Sequence, residues 1–209
     1  MKTNQEYKNA ALAALKGNWT PAVLCALAYF AIAMIPSLLN ATEAGVVLLV
    51  SYAFSFCVLL PLGVGIYASY KKLYLEGDAK ITENSFKIGF GNWGHNVGGM
   101  LLMTLYVVAW SLLLIVPGVI KSFSYALTPY ILADNPELSA DEAIELSMKM
   151  MDGHKLDLFI LYLSFIGWGF LSILTLCIGM LWVMPYMYTS MAAFYEDVKA
   201  EYESKAVAA

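Results

Sequence analysis

The chain has 209 residues, 60% of them hydrophobic and 13% charged, with a formal net charge of −4. Soluble domains carry roughly 25% charged residues, so this composition excludes an ordinary water-soluble domain. With no basic stripe it also excludes a nucleic-acid binder. All twelve basic residues are lysine, so guanidinium clamps on phosphate or carboxylate are unavailable.

Charge is absent over long stretches: 17–42, 44–70, 88–120, 122–133 and the thirty-eight residues from Leu158 to Tyr195. A spanning helix needs about 20 apolar residues, and these runs supply several. The expected fold class is all-α, a polytopic transmembrane helical bundle with amphipathic surface helices, forming one membrane domain over 1–209. In chain order, a polar helix opens with a capping box, Thr3 with Glu6, in which the two side chains satisfy each other's free amides. Because this polar segment precedes a full-length apolar run, the start reads as a retained anchor rather than a cleaved signal.

Six spans follow: 19–39, 45–70, 97–116, a short fourth at 119–133, then 156–175 and 178–195 either side of a break near 176–179. Pro129 interrupts the fourth, which suits a tilted or re-entrant half-helix. Cytoplasmic flanks are enriched in lysine. With six spans and both termini inside, every lysine but Lys121 lies on the cytoplasmic side, which is the expected orientation in a bacterial inner membrane. Cys25, Cys57 and Cys177 sit inside apolar runs without CxxC spacing and read as small core residues.

Three spans share an entry motif: Gly17-Asn18-Trp19, Gly91-Asn92-Trp93 and Gly153-His154-Lys155. Ser139 and Glu142 repeat the capping box fourteen residues before Gly153, as Thr3 stands fourteen before Gly17. Glycine at these positions permits a left-handed helix end. On the second capped helix Ala140, Ile144, Met148 and Met151 form an apolar stripe. Such helices would lie on the membrane surface or against the bundle. The pattern suggests three repeated units, 3–72, 82–134 and 139–196, the middle one degenerate and starting near Thr82 or Ser85; chance recurrence of capped helices is the competing account.

Intramembrane ionisable residues mark ion paths, and none lies deep in a span here. His154, with Asp152 and Asp157 beside it, has the residue types for a metal or acid–base site but no HExxH-like spacing. Asp134-Asn135-Pro136 reads as a turn. Pro61, Pro129 with Tyr130, and Pro185 with Tyr186 place prolines and aromatics in alternate spans; broken helices build transporter sites, although kinks and aromatic belts are also ordinary membrane architecture. Gly94 and Gly98 offer a GxxxG packing signal. The positions singled out are therefore Gly17, Asn18, Trp19, Gly91, Asn92, Trp93, Pro129, Tyr130, Asp134, Gly153, His154, Pro185 and Tyr186, none of them catalytic, with no metal or cofactor implied.

The string Ser124–Pro136 (SYALTPYILADNP), together with Gly153-His154-Lys155, Leu163–Trp168, Leu181–Tyr186, Phe194–Asp197 and Leu15–Trp19, resembles a bacterial membrane family known as domain of unknown function 975. That resemblance implies a multi-pass membrane protein without assigned activity. The family is distantly similar to the membrane domain attached to some glycerophosphodiester phosphodiesterases, and with no soluble catalytic domain in this chain, hydrolysis is not implied.

The leading expectation is a non-catalytic interaction or assembly module, whose partners are the lipid bilayer and a membrane or cytoplasmic protein. The alternative is a transporter or carrier of a lipid or other apolar molecule. Exposed apolar surface on the capped helices would mark docking. A cavity running past Pro61, Pro129 and Pro185 would mark transport, and convergence of His154 with its acids on a pocket would mark an enzyme.

Overall fold

A computed structural model describes residues 2–39 and 45–208. The described residues are helical, joined by short turns: α1 (Asn4–Leu15), α2 (Trp19–Leu39), α3 (Gly45–Phe54), a π-helical turn (Ser55–Leu59), α4 (Leu60–Glu76), α5 (Ile81–Gly91), α6 (Trp93–Leu113), α7 (Ile115–Ser124), α8 (Thr128–Asp134), α9 (Ala140–Met150), α10 (Lys155–Leu163), α11 (Ile166–Leu174) and α12 (Met180–Ala208). Five stretches among them are long and apolar enough to cross a membrane: Trp19–Leu38, Gly45–Glu76, Trp93–Leu113, Ile115–Asp134 and Lys155–Leu174. The chain is a multi-pass membrane protein. The sixth expected span is no separate apolar helix, because it forms the first part of α12, which runs on into the charged tail. The fourth is longer than expected: α7 and α8 together cover 20 residues, broken at 125–127, and Pro129 stands in the first turn of α8, where its missing amide costs nothing.

Burial is uneven. The outer parts of α2, α3, α6, α7 and α11 leave large apolar side chains such as Leu38, Leu49, Leu112, Ile115 and Leu174 exposed, as lipid-facing helices do. A densely packed layer forms where the second half of α4, α8 and the middle of α12 meet α1, α5 and α9. Both capping boxes are present, at Thr3/Glu6 and Ser139/Glu142. Gly17 (φ 86°) and Gly153 (φ 85°) adopt the left-handed conformation that ends each capped helix. Gly91 does not, and α5 has no side-chain cap; Asp78 shapes its start instead, accepting the Lys80 amide (2.9 Å) and the Asn84 side-chain amide (2.8 Å).

α1, α5 and α9 are packed against the bundle along one buried edge each: Tyr7, Ala11 and Leu15; Ile81, Ser85 and Gly89; Ala143, Ser147 and Met151. Each triplet has i, i+4, i+8 spacing and ends two residues before the entry glycine. On α9 the buried face keeps Ile144 and Met151 of the expected Ala140–Ile144–Met148–Met151 stripe but takes in Ser147 ahead of Met148. Ser147 is the reason: its hydroxyl donates to the Ser124 carbonyl (2.9 Å) and accepts the Leu127 amide (3.2 Å), satisfying backbone freed by the α7–α8 break. Apolar counting cannot see such a serine.

Glycines set the closest helix contacts. A Cβ on Gly65 would lie 1.9 Å from the Ser85 carbonyl oxygen, and one on Gly89 would lie 2.6 Å from that of Pro61. α4 and α5 thus meet backbone to backbone. Gly94 and Gly98 have open space around them, and the close approach falls on neighbouring Gly99, pressed against Leu132 of α8.

Other expectations shift. Lys121, the one lysine expected on the outer side, stands about two turns past the break at Leu114. It sits back along α7, over the Trp110 and Tyr125 rings, with its ammonium 3.6 Å from the Met148 sulfur of α9. Cys25 is buried against Ser85, whereas Cys57 and Cys177 are exposed. The break before α12 is made by two residues in the left-handed region, Leu176 (φ 52°) and Cys177 (φ 66°).

Candidate functional site

Tyrosines from three helices form the centre of the packed layer. Tyr195 (α12) stacks on Tyr130 (α8) at 4.6 Å; Tyr130 meets Tyr67 (α4) edge-on at 5.2 Å; Tyr67 meets Tyr188 (α12) at 5.1 Å; and Tyr188 stacks on Tyr70 (α4) at 5.4 Å. This run of five rings ties α4, α8 and α12 together. The Tyr70 hydroxyl leaves it to donate to the Ala22 carbonyl (2.9 Å).

At one end of the run lies a charged junction. Asp134, last residue of α8, receives the Lys71 ammonium on Oδ1; on Oδ2 it accepts the Tyr195 hydroxyl (2.8 Å) and the Lys199 ammonium (3.2 Å). The Lys71 and Asp134 side chains are only 11% and 16% exposed, so each depends on the other for compensation. The expected turn at Asp134-Asn135-Pro136 is therefore also the fastener of the central helices. Glu196 lies nearby, and burial pushes its carboxyl above the ordinary glutamate value against the pull of Lys71 and Lys199.

A cavity of about 420 Å³ opens beside the ring run, between α6 and the α7–α8 break. Met100, Met103 and Val107 of α6, Phe123, Pro129, Tyr67 and Tyr162 wall it. Behind this wall, next to Pro129, the buried Tyr130 and Thr128 hydroxyls have no hydrogen-bond partner among the described residues, a costly arrangement; the polar groups on the wall itself are those of Thr104, Ser122, Tyr67, Tyr125 and Tyr162. The cavity reaches Pro129 but neither Pro61, which is packed under Gly89, nor Pro185.

The entry corners have separate roles. Asn18 caps α1, its side-chain amide donating to the Ala14 carbonyl (3.2 Å); Asn92 makes no capping bond; Trp19 is half-buried against the core. Trp93 repairs a proline defect. Pro61 cannot offer an amide to the carbonyl four residues back, and the Trp93 indole donates to that Cys57 carbonyl at 2.8 Å. His154 faces two carboxylates, Asp157 at 3.4 Å and Glu201 of α12 at 3.3 Å. It bridges the third corner to the tail and itself lines, with Asp152, Lys149 and Lys205, a cavity of about 350 Å³. His154 and Asp152 therefore do converge on a pocket, whereas Asp157 does not line it. Tyr186 packs edge-on against Phe165 (5.0 Å), and Pro185 lies inside α12 with its carbonyl accepting the Thr189 hydroxyl (2.8 Å).

Tyr130, Pro129 and Asp134 thus fall in one site, while Asn18, Trp93, His154 and Tyr186 serve separate helix junctions. Lys71, Tyr67, Tyr195 and Lys199 were not among the expected positions, because residues more than sixty apart in sequence carry no local signal of their pairing. Neither a curated protein nor a solved structure matches the chain. The family described as "Protein of unknown function (DUF975)" matches residues 46–202, and the chain belongs to that family.

Proposed function

We propose that the protein is a non-catalytic member of its family, resident in a bacterial cytoplasmic membrane with both termini inside, and that it holds and carries a lipid or another apolar small molecule. The observation that carries this reading is the cavity beside α6, apolar on most of its wall with Thr104, Ser122 and Tyr162 among its lining. Such a mixture of apolar wall and few polar groups is typical of small-molecule sites.

The interaction or assembly reading has less support, because the apolar faces of α1 and α9 are turned into the bundle. What remains for a protein partner is the charged outer face of α9, with Asp141, Glu142, Glu145 and Lys149 exposed or partly so. An enzymatic role for His154 has both ring nitrogens set against carboxylates, which suits a bridge better than a proton shuttle. The distant similarity to phosphodiesterase membrane domains carries no activity into this proposal. We propose further that 3–72, 82–134 and 139–196 are copies of one building block, supported by the common register of the three buried edges.

Gentle extraction followed by mass spectrometry of co-purifying molecules tests the function. A lipid retained by the wild type and lost from Met103→Trp, which fills the cavity, is the expected result. A near-stoichiometric protein partner with no retained lipid would overturn the carrier reading in favour of assembly.

A further inference from the structure

The cavity beside α6 has a polar neighbour on the same helix face. Asn96, Met100, Met103 and Val107 recur at spacings of four, three and four, one stripe of α6. Met100, Met103 and Val107 wall the apolar cavity, whereas Asn92 and Asn96 line a second one of about 380 Å³ with Lys72, Asn84, Lys87 and Ala133. α8 serves both, through Pro129 in the first and Leu132 and Ala133 in the second. Gly99 draws α6 onto α8 between them.

The polar cavity is built for negative charge. Neither Lys72 nor Lys87 is in an ion pair among the described residues, although both face the same space. Of the nearby acids, Asp78 is engaged by Asn84 and the Lys80 amide and also feels Lys72. Glu76 and Glu83, one turn from Lys72 and Lys87, are exposed and form no ion pair with them among the described residues. α6 begins here without a side-chain cap, facing the C-terminal end of α5, whose Ile88 and Gly89 carbonyls are taken up by the Asn96 side-chain amide (3.1 and 2.8 Å). The two helix ends oppose one another, and the lysines set the sign of the potential. From Asn92 to Val107 the helix rises about 22 Å, close to half the roughly 40–45 Å thickness of a bilayer with its headgroups. That is the length of one phospholipid.

Resting on the carrier reading, we propose that the α6–α8 seam binds an anionic phospholipid, with the headgroup phosphate between Lys72 and Lys87 and an acyl chain in the Met100–Met103–Val107 cavity. A lysine near an anionic membrane group contributes enough that two together give about a thirtyfold preference. The alternative source of the same chemistry, a soluble phosphate, would use the lysines without the apolar cavity.

Native mass spectrometry of delipidated full-length protein, titrated with phosphatidylglycerol or with the diacylglycerol of the same chains, tests this. The wild type should favour phosphatidylglycerol about thirtyfold. Lys72→Gln/Lys87→Gln should lose the preference yet still take up diacylglycerol, while Lys80→Gln, outside the cavity, should keep it. Thermal transitions of the variants verify that they fold. Equal preference in the double variant and the wild type would overturn the headgroup site, as would binding of inorganic phosphate at the lysines with no discrimination between phosphatidylglycerol and diacylglycerol, which would assign them to a soluble phosphate. If Met103→Trp leaves uptake of both lipids unchanged, the carrier reading itself falls; if it abolishes uptake while the double variant keeps its preference, only the headgroup assignment does.

Discussion

The Tyr195 ring lies nearly parallel to that of Tyr130, 12° between planes, and its hydroxyl reaches past that ring to Asp134 at the end of the same helix. Stacking and hydrogen bond therefore hold α12 on α8 at two points one turn apart. Asp134→Asn should weaken this junction by about 3–5 kcal/mol, since Lys71 would keep a buried charge without its counterpart. Lys71→Met combined with Asp134→Leu should recover most of the loss. Denaturant midpoints in detergent for the two single variants and the double variant test it; a double-variant loss equal to the sum of the single losses would mean that the charges are independent.

At the opposite end of the chain's path, Asp197 anchors α1. It accepts the Tyr7 hydroxyl at 2.6 Å and the Lys2 amide at 2.9 Å. Burial opposes its charge, but these bonds and the Lys2 ammonium outweigh burial and hold the carboxyl below its ordinary value of 3.8. A depressed folded-state pKa stabilises fully above the unfolded value, and the contribution is lost as pH falls through the folded one. Tyr7→Phe should cost about 1.5–3 kcal/mol at neutral pH. It should also flatten the fall in stability between about pH 5 and pH 2, read from unfolding midpoints across that range.

Trp93 and Pro61 form a coupled pair through the Cys57 carbonyl. Trp93→Phe should cost about 1–3 kcal/mol by stranding that oxygen. With Pro61→Ala in place the helix regains an amide for it, and the same tryptophan change should cost much less. A double-mutant cycle on thermal stability measures the difference; strict additivity would show that the indole bond contributes nothing.

Helix contact at α4–α5 makes a sharp contrast between two glycines of one turn. Gly65→Ala would drive a methyl into the Ser85 backbone, and overpacking of this kind costs about 3 kcal/mol or more. Gly63 has open space around it, so Gly63→Ala should be neutral or stabilise by a few tenths up to about 1 kcal/mol through helix propensity. Expression and monodispersity on size exclusion, followed by melting, separate the two outcomes.

What could be read from the sequence was local. The Thr3 and Ser139 boxes, the left-handed Gly17 and Gly153, and the break at 175–179 all arise within a few residues, and periodicity or side-chain chemistry exposes them. The uncapped start of α5 was harder, because Asp78 shapes it from outside the helix. The π-helical turn at 55–59 has no local signature beyond Pro61, since its compensating partner, Trp93, comes from another helix. The site was legible in part. Pro129, Tyr130 and Asp134 stand out in the chain, but Lys71, Tyr195 and Lys199 look like ordinary flank residues until the fold brings them to one carboxylate.

The two oxygens of Asp134 also belong to different moments of synthesis. Lys71 emerges from the ribosome before Asp134, while Tyr195 and Lys199 follow sixty-one and sixty-five residues later. At elongation rates of about 5–20 residues/s that is roughly 3–13 s, during which only the Oδ1 partner of the carboxylate has already been made. α1 likewise cannot meet Asp197 until α12 has been made. These contacts of the bundle therefore close late: α12 seats itself on α1, α4 and α8, all of which precede it in the chain.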